Sequence, residues 1–213
     1  MAAGIIRPRL VIFDMDEVLC HYDLGKRLRH LAQLADVTAR DVQAAIWDSG
    51  FESASDAGGF PESEGYLAAF SRRLGHAISE DEWVAARRAA MAPNDEVLVI
   101  VRAIRQDADL ALYTNNGPLV KKHFGSLFPE AAQLFPQCFC SFEFETKKPD
   151  PESYRRLLKA LGQQAQDCWF IDDKKSNVEG ARLAGIDSHH FRSARLLAEA
   201  AAAKGFAVNT ETR

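Results

Sequence analysis

Leu10-Val11-Ile12-Phe13-Asp14-Met15-Asp16-Glu17-Val18-Leu19 decides the fold. Four apolar residues without polar alternation read as a strand buried on both faces, as in a parallel sheet covered by helices. Two carboxylates, Asp14 and Asp16, follow at once. A solvated surface pair would not directly succeed Val-Ile-Phe, although 30 acidic residues will produce some Asp-x-Asp pairs by chance. In open α/β sheets the ligand crevice lies beyond the carboxyl ends of the strands.

Three later segments complete the set, two of them again at the end of an apolar run. Thr114 follows Leu110-Ala111-Leu112-Tyr113, Lys148 lies in Lys147-Lys148-Pro149-Asp150-Pro151, and Asp172-Asp173 end Trp169-Phe170-Ile171. Strands are predicted at 110–113, 138–142, 168–171 and 186–191. Helices are predicted at 96–106, 119–128, from Pro151 to Gly162 with Asp150 as N-cap, and 194–204. A Ser176/Glu179 capping box predicts one more, ending at Gly185. This alternation defines an α/β, Rossmann-like three-layer core with a parallel sheet and right-handed crossovers.

Between residues 24 and 91 the period is helical and no strand is expected. Leu24, Leu28, Leu31 and Leu34 share a face. Thr38 caps a helix through Val42, Ile46 and Trp47. Tyr66, Phe70 and Leu74 mark a third helix, stopped by Gly75. A Ser79/Glu82 capping box opens a fourth, closed by Pro93, and Gly50, Gly58, Gly59 and Pro61 mark a loop. Residues 23–91 therefore read as an all-helical cap domain inserted after the first strand, and residues 1–22 with 92–213 as the core domain.

At 213 residues and 47% hydrophobic content, the chain can bury a full core and carry an insert. A net charge of −4 gives no footprint for nucleic acid or an anionic membrane. No run approaches the about 20 apolar residues of a membrane span. The first nine residues lack the apolar centre of a signal peptide, so the expected location is cytoplasmic. Cys20, Cys138, Cys140 and Cys168 then read as reduced structural thiols. The six histidines are scattered and show no metal spacing.

The adjacent Asp172 and Asp173 repel one another unless a cation or a proton relieves them, and Lys174 and Lys175 could do so at a surface. Four carboxylates at one sheet edge instead form a hard oxygen site suited to Mg²⁺. Thr114 offers a hydroxyl, Asn115 a backbone N–H and Lys148 a point charge, the donors a phosphate needs. Taken singly they read as a turn threonine and a solvated lysine; their order relative to the Asp motifs argues otherwise.

The segments Asp14-Met15-Asp16-Glu17-Val18-Leu19, Thr114-Asn115-Asn116, Lys148-Pro149-Asp150-Pro151 and Phe170-Ile171-Asp172-Asp173 with Asn177 resemble the four motifs of the haloacid dehalogenase-like hydrolase superfamily. The resemblance spans residues 9–191, and the helical insert is similar to the cap of subfamily I. Its sugar-phosphate phosphatases are the group most resembled. One departure is Glu17, where many relatives have glycine; turn geometry and substrate range are at issue there.

The resemblance implies a Mg²⁺-dependent phosphatase acting on a small phosphorylated metabolite. Asp14 would be the nucleophile, passing through an aspartyl-phosphate, and Asp16 the acid and base. Mg²⁺ would take the Asp14 carboxylate, the Asp16 backbone carbonyl, Asp172 and Asp173. Thr114, Asn115 and Lys148 would hold the phosphoryl group. Trp47, Phe51, Glu52 and Asn116 are candidate substrate contacts, with packing the alternative for the cap residues. A phosphomutase would keep the same phosphoryl site, and a non-enzymatic binding module would have lost a charged residue. Asp16 and the acidic pair argue against dehalogenation. Oligomeric state leaves no mark in the sequence.

Overall fold

In the computed structural model, which describes residues 7–209, Leu10–Phe13 forms the central strand, β1. The chain then runs through β2 (Cys20–Tyr22), α1 (Leu24–Ala35), α2 (Ala39–Val42), α3 (Phe51–Ala54), α4 (Ser63–Leu74), α5 (Glu80–Ala89) and β3 (Met91–Pro93). There follow α6 (Asp95–Ile104), β4 (Asp109–Thr114), α7 (Pro118–Leu127), α8 (Pro129–Ala132) and β5 (Gln137–Cys140). Last come α9 (Pro151–Leu161), β6 (Cys168–Asp172), α10 (Lys175–Leu183), β7 (Asp187–His190) and α11 (Ala194–Ala203). Five strands make one all-parallel sheet in the order β5-β4-β1-β6-β7, the predicted α/β core.

Helices cover both faces, which is why β1 needs no polar alternation. Val11 and Phe13 face α6 and α11, whose Val97, Val101 and Leu197 are fully buried. Ile12 faces the other way, onto Tyr154 and Leu157 of α9 and Ala181 of α10. Each large side chain so buried contributes on the order of 1.5–3 kcal/mol before entropy is charged against it. In register, Phe13 stands beside Leu112 on one neighbour and Ile171 on the other. The three motif-bearing strands thus end at nearly one level, and the Asp14 N–H donates to Ile171 O at 2.9 Å.

The insert departs from its pattern in four places. Two short strands flank it, β2 and β3, paired antiparallel with Cys20 opposite Pro93. Pro93 therefore does not terminate a helix; α5 ends at Ala89, and the proline sits at the edge of a two-stranded ribbon, where its missing N–H is tolerated. Thr38 does cap a helix, but after Val42 it widens into π-type turns over Gln43–Asp48. The predicted glycine loop is mostly helical, as α3 and a second wide turn at Ser55–Gly59. Burial overrides the glycines there: Phe51 packs on Phe60, Tyr66 and Phe70 at centroid distances of 5.1, 5.4 and 6.1 Å.

Two boundaries in the core also differ. β5 stops at Cys140, because the Glu143 carboxylate accepts the Cys140 N–H at 2.7 Å and starts a 3₁₀ turn over Ser141–Phe144. Ser176 lies inside α10 instead of capping it, and Asp172 receives the Lys174 N–H at 2.8 Å at that end. No helix among the described residues is long and apolar enough to cross a membrane.

Glu17 occupies the glycine-favouring left-handed region, with φ of 64°. Its carboxylate accepts the Tyr22 N–H at 2.8 Å, which offsets part of the cost of the strained backbone and ties the turn to the ribbon. Gly180 is required for a different reason. A Cβ there would stand 2.0 Å from Pro149 O, so α10 can touch the Lys148 loop only without a side chain. Gly180→Ala is expected to cost about 1–3 kcal/mol in urea denaturation. Leu183→Ala, on the same helix but 73% exposed, should stay within about 0.5 kcal/mol.

Candidate active site

Strand order puts the ends of β4, β1 and β6 side by side, and the charges gather there. The Lys148 ammonium lies 2.9 Å from Asp14 Oδ1 and 2.7 Å from Asp172 Oδ2, and donates to Tyr113 O at 3.1 Å. Its own loop is held by Asn115, whose Nδ2 donates to Lys148 O at 2.9 Å while Oδ1 accepts the Lys148 N–H at 3.0 Å. Asn177 donates to both oxygens of Asp172, at 2.9 and 3.0 Å. Thr114 is buried, and its hydroxyl accepts from Asn116 Nδ2 at 2.8 Å.

Asp14, Asp172 and Asp173 each bring a carboxylate oxygen within 4.8 Å of the others. Asp173 Oδ1 is buried without a hydrogen-bond partner. Three carboxylates against one ammonium leave excess negative charge in a water-poor place, and hard oxygen donors with one uncommitted oxygen suit a small divalent cation. Burial, with Asp172 adding to it and Lys148 opposing, pushes the Asp14 carboxyl up to about 8. Burial, then Asp172, also raises Asp173. Burial alone would lower Lys148, but Asp14 and Asp172 outweigh it and hold the ammonium firmly protonated.

The Asp16 carboxylate stands outside this cluster. Both its oxygens accept from Arg87 Nη2 of α5, at 2.8 and 2.7 Å. Arg87 and Arg27 are buried, and both line a cavity of about 450 Å³ that also reaches Asp14, Thr114 and Lys148. Of the residues expected to touch substrate, Trp47, Glu52 and Asn116 line this cavity. Phe51 does not; it is consumed in the aromatic packing of the insert. Asp56, not singled out in the sequence, also lines it, and burial with the nearby Glu52 pushes its carboxyl up to about 7.

Arg27 and Arg87 were missed by motif reading, yet they leave a signal. Arg27 falls on the stripe of Leu24, Leu28 and Leu31, and Arg87 lies four residues after Trp83. A charge at an apolar helical position marks a buried ion or a ligand contact. Lys147, whose ammonium donates to Ser53 O at 3.1 Å, leaves no such mark.

The haloacid dehalogenase-like hydrolase family matches residues 8–185, and the chain belongs to that family. A phosphatase from Mycobacterium tuberculosis is 27% identical over 187 residues, covering 84% of this chain and 85% of its own. Among solved structures, a HAD family enzyme from Bacteroides thetaiotaomicron, in complex with magnesium and inorganic phosphate, superposes with a TM-score of 0.73 at 18% identity, over 87% of this chain and 94% of that one. L-2-haloacid dehalogenase from Xanthobacter autotrophicus shares the fold with a TM-score of 0.60 at 14% identity, over 85% and 76%.

Because the folded Asp14 binds its proton more tightly than the ordinary carboxyl at 3.8, the native state holds more protons than the unfolded chain between about pH 4 and 8. Its contribution is therefore complete at the acid end and is lost as pH rises through that window. Asp56 adds in the same direction up to about pH 7. With a chelator present, urea denaturation should show stability falling from pH 5 to 8. Asp14→Asn should flatten that slope and be the more stable protein at pH 8.

Proposed function

We propose that this chain is a Mg²⁺-dependent phosphatase that hydrolyses a small phosphorylated metabolite, such as a sugar phosphate, through an aspartyl-phosphate. The observation that carries the reading is the buried Asp14 carboxylate, 2.9 Å from Lys148, grouped with Asp172 and Asp173 and lining the cavity. The similarity to a phosphatase and to an enzyme that binds magnesium and phosphate supports it.

An Asp14 carboxylate oxygen attacks phosphorus in line, forming the O–P bond as the bond to the leaving oxygen breaks. Asp16, protonated once its contact with Arg87 opens, gives that oxygen a proton. In the second half Asp16 takes a proton from water, whose oxygen attacks phosphorus and frees Asp14 and inorganic phosphate. The Thr114 hydroxyl, the Asn115 backbone N–H and the Lys148 ammonium hold the phosphoryl oxygens. Asn115 acts through its backbone, since its side chain is committed to Lys148. Asp14, Asp172, Asp173 and the Asp16 carbonyl would hold Mg²⁺, which supplies positive charge to the transferring group.

Residues 23–91 act as the cap domain, closing over the cavity to exclude water. Arg87 links that closure to chemistry, because it holds both oxygens of Asp16 from the cap side. Asp16 and the complete acidic set favour phosphoryl transfer over attack on a carbon–halogen bond.

Phosphate release from a panel of sugar phosphates, nucleotides and small phosphorylated acids should require Mg²⁺ and vanish in Asp14→Asn or with EDTA. Release that survives either control overturns the reading. Asp16→Asn should lower kcat by about 10²–10⁴-fold while the metal-dependent gain in thermal stability remains.

A further inference from the structure

Arg27 is 4% exposed, yet only one of its three guanidinium nitrogens has a partner. Nη1 donates to the Tyr22 hydroxyl at 3.1 Å, whereas Nε and Nη2 are buried with none. The group lies over the rings of Trp83 and Trp47, at 4.7 and 5.3 Å from their centroids. Aromatic faces offset part of the positive charge but accept no conventional hydrogen bond, so the two N–H edges stay unmet. A buried cation without a counter-charge is expensive, and each unmet donor adds to the cost.

The nearby charges do not supply the missing partner. Arg87 is answered by Asp16, and its field opposes Arg27. Glu52 is the acid that acts on Arg27, but it makes no ion pair with it, and its Oε1 accepts the Tyr66 hydroxyl at 2.7 Å. Two guanidinium groups thus line one cavity, and only Arg87 has a closely bound carboxylate; Lys148 and Asp14 line the same cavity.

Resting on the phosphatase reading for its transferred group, we propose that the leaving portion of the substrate carries a second anion, a carboxylate or a second phosphate, received by the free edge of Arg27. Arg27 is then the residue that selects doubly anionic phosphate esters. A neutral sugar or alcohol leaves its Nε and Nη2 unsatisfied when the cap is closed, and that difference is the basis of selection.

The test is binding, so that it does not depend on turnover. Titration calorimetry with Mg²⁺ present would compare alkylphosphonates with ω-phosphonocarboxylates and α,ω-bisphosphonates of two to five methylenes. Their P–C bond is not cleaved by attack from Asp14. At least one two-anion length should bind wild type about 10–100-fold tighter than its alkylphosphonate. The chemistry of the winner distinguishes carboxylate from phosphate. Arg27→Met should bring that ratio close to one. Arg27→Gln, which is shorter but keeps an N–H donor without the charge, should do the same and serves if the methionine variant does not fold. No advantage at any length in wild type overturns the proposal, as does an advantage undiminished in a folded variant. Failure of the phosphate-release panel would sink the phosphatase reading and leave these ratios intact.

Discussion

A single ammonium between two carboxylates organises this protein. Without Lys148, Asp14 and Asp172 would face each other at the ends of adjacent strands in a place almost closed to water. Lys148 opposes the burial and the Asp172 repulsion that raise the Asp14 carboxyl, and without it that carboxyl would hold its proton still more tightly. Much of the surrounding structure serves to deliver that ammonium. Asn115 grips its backbone from the end of β4, and Asn177 fixes Asp172. Gly180 removes the side chain that would keep α10 away from the loop. Even so, one positive charge among three carboxylates leaves a deficit, which explains why the site is suited to a divalent ion.

The helical insert answers the sheet with charges of its own. Arg87 reaches from α5 to Asp16, while Glu80 at the start of α5 meets Lys122 at 2.8 Å on α7. These contacts differ in kind. The first is buried on the arginine side and strongly directional, so it fixes the orientation of the Asp16 carboxylate. The second is half exposed and screened by salt, worth at most about 1 kcal/mol. The insert is therefore tied to the sheet-end carboxylates through the inner pair more firmly than through the outer one.

The sheet was legible because its strands are short, apolar and bounded by charged residues at consistent positions. The residues at their ends, Asp14, Thr114, Lys148 and Asp172, came with them, since a parallel sheet leaves its strand ends in one place. What was not legible depended on contacts distant in sequence. The wide helical turns after Val42 follow from the packing of Phe51 against Phe60, Tyr66 and Phe70, which no local propensity expresses. The β2–β3 ribbon joins segments some 70 residues apart, and neither strand is long enough to show a period. Arg27 and Arg87 were readable only as charges out of place on apolar stripes. Glu17 shows the reverse case. Its departure from glycine was visible, but the Tyr22 N–H that compensates for it was not.

The β2–β3 ribbon also bears on how such a chain diversifies. The long helical excursion leaves the sheet and returns to it through two strands that are hydrogen-bonded to each other. Seen from the sheet it is a loop whose ends are already tied, so its length hardly enters the entropy of closing it. Helices can be added, lost or exchanged beyond Tyr22 and Met91 while the strand register beneath, and the ammonium it positions, stay as they are. The sheet-end cluster and the helical insert above it can thus change at different rates in one lineage.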